Sequence, residues 1–391
     1  MLKKLNRAGL AAIAAATALL AAPVHAQQAK PPIKIGFLNL LSGVSAELGA
    51  GMAPGVKLAM DEINAAGGVN GRKLEIVTRD EQLKPDVAVA LARELITAEK
   101  VDVLLGPLGS NTALAVSEVA RENKILNFSP SASADAITGA KGHKYIFQLS
   151  STSDMDAKRF ASILKRQGAK KVCFTGWDYA YSTDLFTNLR KELPADIQVT
   201  REYLLKLGTS DYNTLISQLM ADPCDTVMNM FFSGGFISLV KQAEPFGLFK
   251  AKKFVSGGNN GDYNIAEALK DKFPEGMWTF SNDLWYLDTT PEMKRYHEAM
   301  AKATGRKDFH AFGLYGYMAV QFIAEAARKA GNNTSSDALV AAMEGLTVNT
   351  PMGPLTVDAK THRVGKPAFY GPIVTVPGSD IKRMQPAELM R

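Results

Sequence analysis

Two short segments rich in glycine and hydroxyl side chains each follow an apolar run. Residues 106–112 come after 101–105, and residues 129–133 come after 125–128. In an open α/β sheet, ligands bind beyond the carboxyl ends of the strands, where helix N-termini present free N–H donors and a partial positive charge. Two adjacent loops of this kind suit a carboxylate, although capping a helix is the commoner task of a serine. The candidate binding residues are Ser110, Asn111, Ser131, Ala132 and Ser133.

Aromatic side chains cluster after two further apolar runs, at 177–181 and at 231–232. Rings at strand ends often form ligand walls, because they supply rigid apolar area with a polar edge. Packing between two domains explains them equally well, and both interpretations stay open at this point. Together with the serine loops they describe a cleft that binds a carboxylate on one wall and covers an apolar body with the other. The candidates are Tyr181, Phe231 and Phe232.

Several patterns of catalysis and cofactor binding are missing from the sequence. Residues 106–110 lack the Gly-Lys-Ser/Thr of a phosphate-binding loop, and no Gly-x-Ser-x-Gly elbow occurs. The five histidines and two cysteines show neither His-Glu-x-x-His nor Cys-x-x-Cys spacing. We therefore expect no enzyme, no cofactor and no metal site. A secreted hydrolase would require an unrecognised set of residues to assemble in the cleft.

The first 26 residues have the pattern of a secretory signal peptide. Lys3, Lys4 and Arg7 precede an apolar run at 10–22, and Val24-His25-Ala26 supplies a small-x-small cleavage signal. The apolar run is shorter than the ~20 residues that span a bilayer. We expect cleavage after Ala26 and a location outside the cytoplasm.

The elements that must position the cleft alternate between strand and helix. Seven β-branched or aromatic runs are separated by amphipathic stretches, the pattern of a parallel sheet covered by helices. A late pair of strands is predicted near 355–357 and 372–376. A mature chain of 27–391 exceeds what one hydrophobic core usually supports, so two domains are expected. The formal charge of the whole chain is +6, without a basic run of five residues, which argues against nucleic acid as a partner. The predicted strands are 33–38, 74–78, 101–105, 125–128, 171–175, 226–231 and 253–256.

The two cysteines are predicted to be unpaired. Cys173 lies in the middle of one predicted strand, and Cys224 precedes the neighbouring strand by about two residues. Pairing those strands in register separates the two positions by about four residues at ~3.3 Å each. That distance exceeds the ~7 Å limit between bridged Cα atoms.

Longer motifs together resemble periplasmic binding proteins of the branched-chain amino acid transporter class. The most specific is AMDEINAAGGVNGRKL at 59–74, accompanied by KIGF at 34–37, LSG at 41–43 and SPSA at 129–132. The resemblance implies an α/β structure of two doubly wound parallel-sheet lobes joined by a three-segment hinge, the type I periplasmic binding protein fold. It also implies a monomer in the periplasm that passes a small ligand to the membrane permease subunits of an ABC importer. The predicted division assigns 33–150 plus 279–352 to lobe I and 151–278 plus 353–391 to lobe II.

The resemblance also assigns roles within the cleft. Ser110, Ser131 and Ser133 match residues that hold the ligand α-carboxylate, and Tyr181 with Phe231 or Phe232 matches the aromatic wall of the opposite lobe. Two positions depart from the amino acid binders of the family: Leu48 replaces a tyrosine, and the acid that pairs with the ligand ammonium falls at Gly258 or Asn259, unless Asp262 substitutes for it. An aromatic or branched aliphatic carboxylate is therefore an alternative to a hydrophobic amino acid. A ligand-sensing receptor of the same fold is the alternative function.

Overall fold

Two open sheets, each covered by helices, form the framework of the protein. The computed structural model describes residues 30–43, 45–331 and 333–390, so the predicted signal peptide at 1–26 lies outside the described residues. The described residues from 32 to 390 belong to one compact unit. No helix among the described residues is long and apolar enough to cross a membrane.

The first sheet is entirely parallel, with the strand order β2-β1-β3-β4-β5. Strand β1 is buried along nearly its whole length, as expected for a parallel sheet covered on both faces. We call this sheet and the helices packed on it the first lobe. Its strands are β1 (Ile33–Asn39), β2 (Leu74–Asp80), β3 (Val103–Leu105), β4 (Leu126–Ser129) and β5 (Ile146–Gln148).

The second sheet is mixed and has the order β14-β13-β10-β9-β8-β6-β7, with β15 also paired to β13. The strands from β6 to β10 run parallel, whereas β13 is antiparallel to β10. We call this sheet and its helices the second lobe. Its strands are β6 (Lys171–Asp178), β7 (Gln198–Lys206), β8 (Thr226–Met230), β9 (Lys253–Ser256), β10 (Trp278–Ser281), β13 (Ala368–Val374), β14 (Arg383–Met384) and β15 (Glu388–Met390).

Twelve α-helices are present among the described residues. Those of the first half of the chain are α1 (Ala46–Ala65), α2 (Pro85–Thr97), α3 (Ser110–Asn123), α4 (Ser153–Arg166), α5 (Ala180–Glu192) and α6 (Asn213–Ala221). The remainder are α7 (Ser233–Ala243), α8 (Leu248–Ala251), α9 (Tyr263–Leu269), α10 (Pro291–Thr304), α11 (Phe312–Ala330) and α12 (Ser336–Met343). Short 3-10 turns occupy Asp135–Ile137, Glu244–Phe246 and Lys270–Lys272.

Helices α1 and α11 pack closely against each other in the first lobe. A Cβ atom at Gly55 would come within 1.8 Å of the Gly313 carbonyl oxygen, so only glycine permits this approach. The apolar face of α1 is formed by Met52, Val56 and Ala59, which are buried. These positions recur at a spacing of three and four residues, as expected of a helix with one buried face.

The α/β fold class and all seven predicted strands are confirmed, and β5, β7 and β10 add to them. The late strands are also present, but they do not pair with each other. β12 (Gly353–Thr356) forms a hairpin with β11 (Thr347–Thr350), whereas β13 joins the second sheet beside β10. The prediction did not foresee this, because β12 pairs with β11, a strand that lies closer to it in the sequence. The predicted division into 33–150 plus 279–352 and 151–278 plus 353–391 stays a prediction.

Three chain segments connect the lobes: one follows β5, one follows β10 and one precedes β13. We call these segments the hinge, and hydrogen bonds join them to one another. The Gln148 N–H donates to the His362 carbonyl (3.0 Å), and the Val364 N–H donates back to the Gln148 carbonyl (2.9 Å). Lys366, which precedes β13, attaches the segment that follows β10. Its Nζ donates to the carbonyl and side-chain oxygens of Asn282 at 3.0 and 3.2 Å. Burial lowers the pKa of Lys366 to about 7.

The two cysteines form a disulfide bond, so the prediction of free thiols is wrong. The Cα atoms of Cys173 and Cys224 are 5.6 Å apart. The prediction assumed that the chain before β8 continues the line of that strand. Instead, Asp222 follows α6 and accepts a hydrogen bond from the Cys224 N–H through Oδ1 (2.9 Å), so the chain turns and Cys224 lies beside Cys173.

We predict that the Cys173→Ser/Cys224→Ser variant loses roughly 2–4 kcal/mol of unfolding free energy, because the disulfide constrains a long loop of the unfolded chain. The two positions are separated by 51 residues. Urea denaturation with and without reductant measures the difference. Reductant should destabilise the wild type and leave the double variant unchanged. Two thiols reacting in denatured, unreduced wild-type protein would contradict the pairing.

Candidate ligand-binding site

A cleft between the lobes forms a partly open cavity, whose empty space, including solvent at the mouth, amounts to about 670 Å³. Loops after the strands of both sheets form its walls, as the switch-point rule for α/β folds predicts. Eight of the ten residues singled out from the sequence border this one cavity. They are Leu48, Ser110, Ser131, Ala132, Ser133, Tyr181, Phe232 and Asn259.

The other two predicted residues lie near the cavity without bordering it. Asn111 Oδ1 accepts a hydrogen bond from the Ala180 N–H (3.0 Å), so this side chain bridges the N-termini of α3 and α5. Phe231 is fully buried and meets Trp177 and Tyr212 edge to face, with ring centroids 4.8 and 5.2 Å apart. Of the two interpretations of the aromatic residues, packing therefore applies to Phe231, whereas Phe232 and Tyr181 face the cavity.

The N-terminus of α3 supplies hydrogen-bond donors to the cavity. Ser110 begins this 14-residue helix, and its Oγ accepts bonds from the Ser133 and Ala134 N–H groups at 3.2 and 3.3 Å. The Ser110 N–H donates across the cleft to the hydroxyl of Tyr179. Neither the Ser110 nor the Tyr179 hydroxyl donates a hydrogen bond of normal geometry among the described residues, although the two hydroxyls lie close enough to interact with each other. We name these two hydroxyls the donor wall, and together with the helix N-terminus they suit an anion.

The remaining serines of the two loops border the cavity with their protons already engaged. Ser131 Oγ donates to the Leu108 carbonyl (3.2 Å), and Ser133 Oγ donates to the Ser131 carbonyl (3.3 Å). Tyr179 supplies a hydroxyl to the donor wall, although the sequence analysis had singled out Tyr181 instead. Burial raises the pKa of its phenol well above the usual range, so it remains a proton donor at neutral pH.

Apolar side chains from both lobes cover the middle of the cavity. Leu48 of α1 contributes from the first lobe and Phe280 of β10 from the second lobe. The Phe232 ring lies 5.8 Å from that of Tyr179, centroid to centroid. Such walls bind a flat or branched apolar body through the hydrophobic effect. The other apolar members are Leu40, Leu83, Leu108 and Phe312.

Among the described residues, Asp156 is the one acidic residue that borders the cavity. The sequence analysis did not identify it. It lies in the first turn of α4, directly after the hydroxyl-rich run 150–153. That run has the same form as the two loops recognised in the sequence, so the same rule would have identified it. Tyr181 donates its hydroxyl proton to Asp156 Oδ2 (2.6 Å).

The position expected to hold a ligand ammonium has no free acceptor. Asn259 borders the cavity, but its Oδ1 accepts from the N–H and Nδ2 of Asn282, both at 2.8 Å. Asp262 does not border the cavity: its Oδ1 accepts from the Ala311 N–H (2.8 Å), and its Oδ2 pairs with His310 Nδ1 (2.5 Å). This acid therefore joins the two lobes.

One group of potential metal ligands occurs within the described part of the chain. It consists of Cys173, Asp222 and Cys224. The sulfur atoms of that group form the disulfide, and the Asp222 carboxylate accepts hydrogen bonds from Thr200 (2.7 Å) and Tyr203 (2.7 Å). The group is thus committed to structure.

Glu81 is a buried carboxyl group behind the donor wall. It is fully buried, and neither carboxyl oxygen has a hydrogen-bond partner that satisfies normal geometry. Burial raises its pKa from 4.5 to about 7, an effect that nearby Thr112 and the Leu108 amide only partly offset. A carboxyl group with a raised pKa binds its proton more tightly in the folded protein than in the unfolded chain.

We predict that folding stability falls as the pH rises from 4.5 to 7, because only the folded state must retain the Glu81 proton in this window. The contribution is complete below pH 4.5 and amounts to about 3 kcal/mol at most. Glu81→Gln should remove this part of the pH dependence in urea denaturation. Glu75→Gln, at an exposed position on β2, the strand that ends one residue before Glu81, is the control. Equal pH slopes for wild type and Glu81→Gln would contradict the assignment.

Comparisons with known proteins agree with this geometry. The chain is 29% identical over 336 residues to the leucine-, isoleucine-, valine-, threonine-, and alanine-binding protein of Pseudomonas aeruginosa, covering 84% of this chain and 86% of that protein. The solute binding protein of an ABC transporter from Rhodopseudomonas palustris BisB5, in complex with 3,4-dihydroxybenzoic acid, superposes with a TM-score of 0.83 at 23% identity. That alignment covers 92% of this chain and 97% of the other.

A branched-chain amino acid transporter substrate binding protein from Streptococcus pneumoniae, in complex with isoleucine, has the same fold. Its TM-score is 0.79 at 22% identity, with coverage of 92% of this chain and 99% of the other. The family model for periplasmic binding proteins matches residues 32–375. The two lobes, the cleft between them and this match lead to one conclusion: the chain belongs to the periplasmic binding protein family, whose members bind solutes for transporters and are not enzymes.

Proposed function

We propose that the protein captures a small carboxylate without an α-ammonium group, such as an aromatic or branched aliphatic acid, and delivers it to an ABC importer. The observation that carries this proposal is the donor wall: two buried hydroxyls that donate no hydrogen bond of normal geometry to a described residue, at the N-terminus of a helix, facing an apolar cavity. A carboxylate accepts such protons and interacts favourably with the helix dipole.

The electrostatics of the cleft argue against an amino acid ligand. A buried ammonium without a counter-charge costs several kcal/mol. Asn259 carries no charge and has its amide engaged, and Asp262 is turned toward His310. The charge of Asp156 is already balanced by Arg159, whose Nη1 lies 2.8 Å from Asp156 Oδ1. A hydrophobic amino acid is the second candidate, favoured by the names of the sequence relatives, whereas the dihydroxybenzoic acid bound to one structural neighbour favours the first.

The proposed setting is the periplasm. The signal peptide pattern at 1–26 directs export, and the family works outside the cytoplasm. The proposed partners are the membrane permease subunits of an ABC transporter, with a monomer as the binding unit and no part played by nucleic acid. A ligand-sensing receptor would use the same cleft, and genuine uptake of the ligand by cells distinguishes the two functions.

We expect simple acids to stabilise the protein more than amino acids of similar size in a thermal-shift panel. The panel contains benzoate, 4-methylpentanoate, leucine, isoleucine and valine, each at ~1 mM. A micromolar ligand at that concentration adds about 4 kcal/mol to stability, because it binds only the folded state. The largest shift for leucine, isoleucine or valine, with none for the acids, would contradict the proposal.

We further expect Ser110→Ala and Tyr179→Phe each to weaken binding of the best acid by roughly 1.5–3 kcal/mol, the cost of losing a hydrogen bond to a charged group. Titration calorimetry measures the change. Ser117→Ala, on the same helix as Ser110 but away from the cavity, is the matched control. Unchanged affinity in both test variants, in protein shown to be folded by circular dichroism, would remove the donor wall from the binding site.

A further inference from the structure

One part of the second-lobe side of the cavity, separate from Tyr179, presents hydrogen-bond acceptors in place of donors. Asp156, Tyr181 and Ser151 all border the cavity. Tyr181 donates its hydroxyl proton to Asp156 Oδ2 (2.6 Å), and Ser151 donates its own to Asp156 Oδ1 (2.9 Å). The polar atoms that remain for a ligand on these side chains are lone pairs. We name these three residues the acceptor wall.

The hydrogen bonds behind Asp156 leave one of its oxygens with spare capacity. Oδ1 accepts from Ser151, from Arg159 Nη1 (2.8 Å) and from the hydroxyl of Tyr370 (3.1 Å). Oδ2 accepts from Tyr181 alone among the described residues. A carboxylate oxygen carries two lone pairs, and Oδ2 accepts a single hydrogen bond, so it can accept at least one more. Burial, reinforced by Asp156, raises the pKa of Tyr181 well above its usual range, so the tyrosine keeps its proton.

The charge balance at this wall favours a neutral donor. Asp156 and Arg159 are 1% and 4% exposed and form a buried ion pair. Arg159 Nη2 is buried without a partner, and the Lys366 amine is also buried nearby, beside Asn282. An ammonium would add a further cation to a region whose negative charge is already balanced, and that is costly in a medium of low polarity. A hydroxyl adds no charge.

We propose that Asp156 and Tyr181 form a specificity site for a hydroxyl group, so that the ligand is a hydroxylated carboxylate. The ligand hydroxyl donates its proton to Asp156 Oδ2. This inference rests on the proposed function, because the carboxylate must occupy the donor wall at Ser110 and Tyr179. The two walls then orient the ligand, since a carboxylate turned toward Asp156 would meet a negative charge.

Titration calorimetry on the wild type tests the proposal with matched ligands. One series is benzoate, 3-hydroxybenzoate, 4-hydroxybenzoate and 4-methoxybenzoate. The other is 4-methylpentanoate and 2-hydroxy-4-methylpentanoate. In at least one series a hydroxyl should tighten binding roughly 10- to 100-fold, as expected of a hydrogen bond to a charged group. The methoxy compound, which has no proton to donate, should gain nothing, and the responding series identifies the hydroxyl as phenolic or aliphatic.

The variant Asp156→Asn/Arg159→Met removes both charges of the buried pair, which avoids leaving Arg159 unpaired. It should reduce the hydroxyl gain to about threefold or less while the parent acid keeps its affinity, a difference that a purely structural role of Asp156 would not produce. Asp154→Asn, in the same turn of α4 but away from the cavity, is the control and should preserve the gain. Thermal melting verifies that each variant is folded.

The failures of the two proposals are distinguishable. If the parent acids bind and a hydroxyl adds nothing in either series, the hydroxyl site is wrong and the proposed function stands. If the gain persists in the folded double variant, another residue recognises the hydroxyl and Asp156 is not the site. If leucine binds and no acid of either series does, both proposals are overturned.

Discussion

Two helix N-termini meet across the cleft, and the chemistry of the site depends on this encounter. The Ser110 N–H at the start of α3 donates to the Tyr179 hydroxyl, and the Ala180 N–H at the start of α5 donates to Asn111 Oδ1. Each helix thus satisfies part of the other's free N–H groups. Because one partner of each bond belongs to each lobe, the same contacts that shape the cavity also hold the lobes together.

The hydroxyl protons around the cavity give its two walls opposite preferences. The donor wall suits a ligand group that accepts hydrogen bonds, and the acceptor wall suits one that donates them. The hydroxyls of the donor wall have protons to donate, whereas Tyr181 and Ser151 of the acceptor wall have donated theirs to Asp156. The Asp156 carboxylate can occupy this position because Arg159 and Tyr370 surround it with donors. An unpaired charge at such a buried position would be far more costly than the pair. The asymmetry comes from hydrogen-bond direction, which residue types alone do not specify.

The hinge couples the lobes through more than chain connectivity. Its three segments exchange hydrogen bonds, and Lys366 links two of them through Asn282, whose side chain borders the cavity. Tyr315 also donates to Asn282 Oδ1 (2.8 Å), and Asn259 accepts from its amide nitrogen. Asn259 belongs to the second lobe and Tyr315 to the first. A ligand that contacts Asn282 therefore touches a residue at which both lobes and the hinge converge.

The sequence by itself determined the fold class, the seven central strands and eight of the residues around the cavity. The strands and the serine and aromatic residues follow from local periodicity and from the rule that loops after parallel strands share one edge, whereas Leu48 and Asn259 were identified through the family resemblance. Tertiary structure decided the rest: the pairing of Cys173 with Cys224, the separate partners of β12 and β13, and the place of Asp156. It also separated Phe231, buried in packing, from its neighbour Phe232, which faces the cavity. These outcomes depend on where the chain turns and on which hydroxyl donates to which acceptor, and both are set by contacts between residues far apart in sequence.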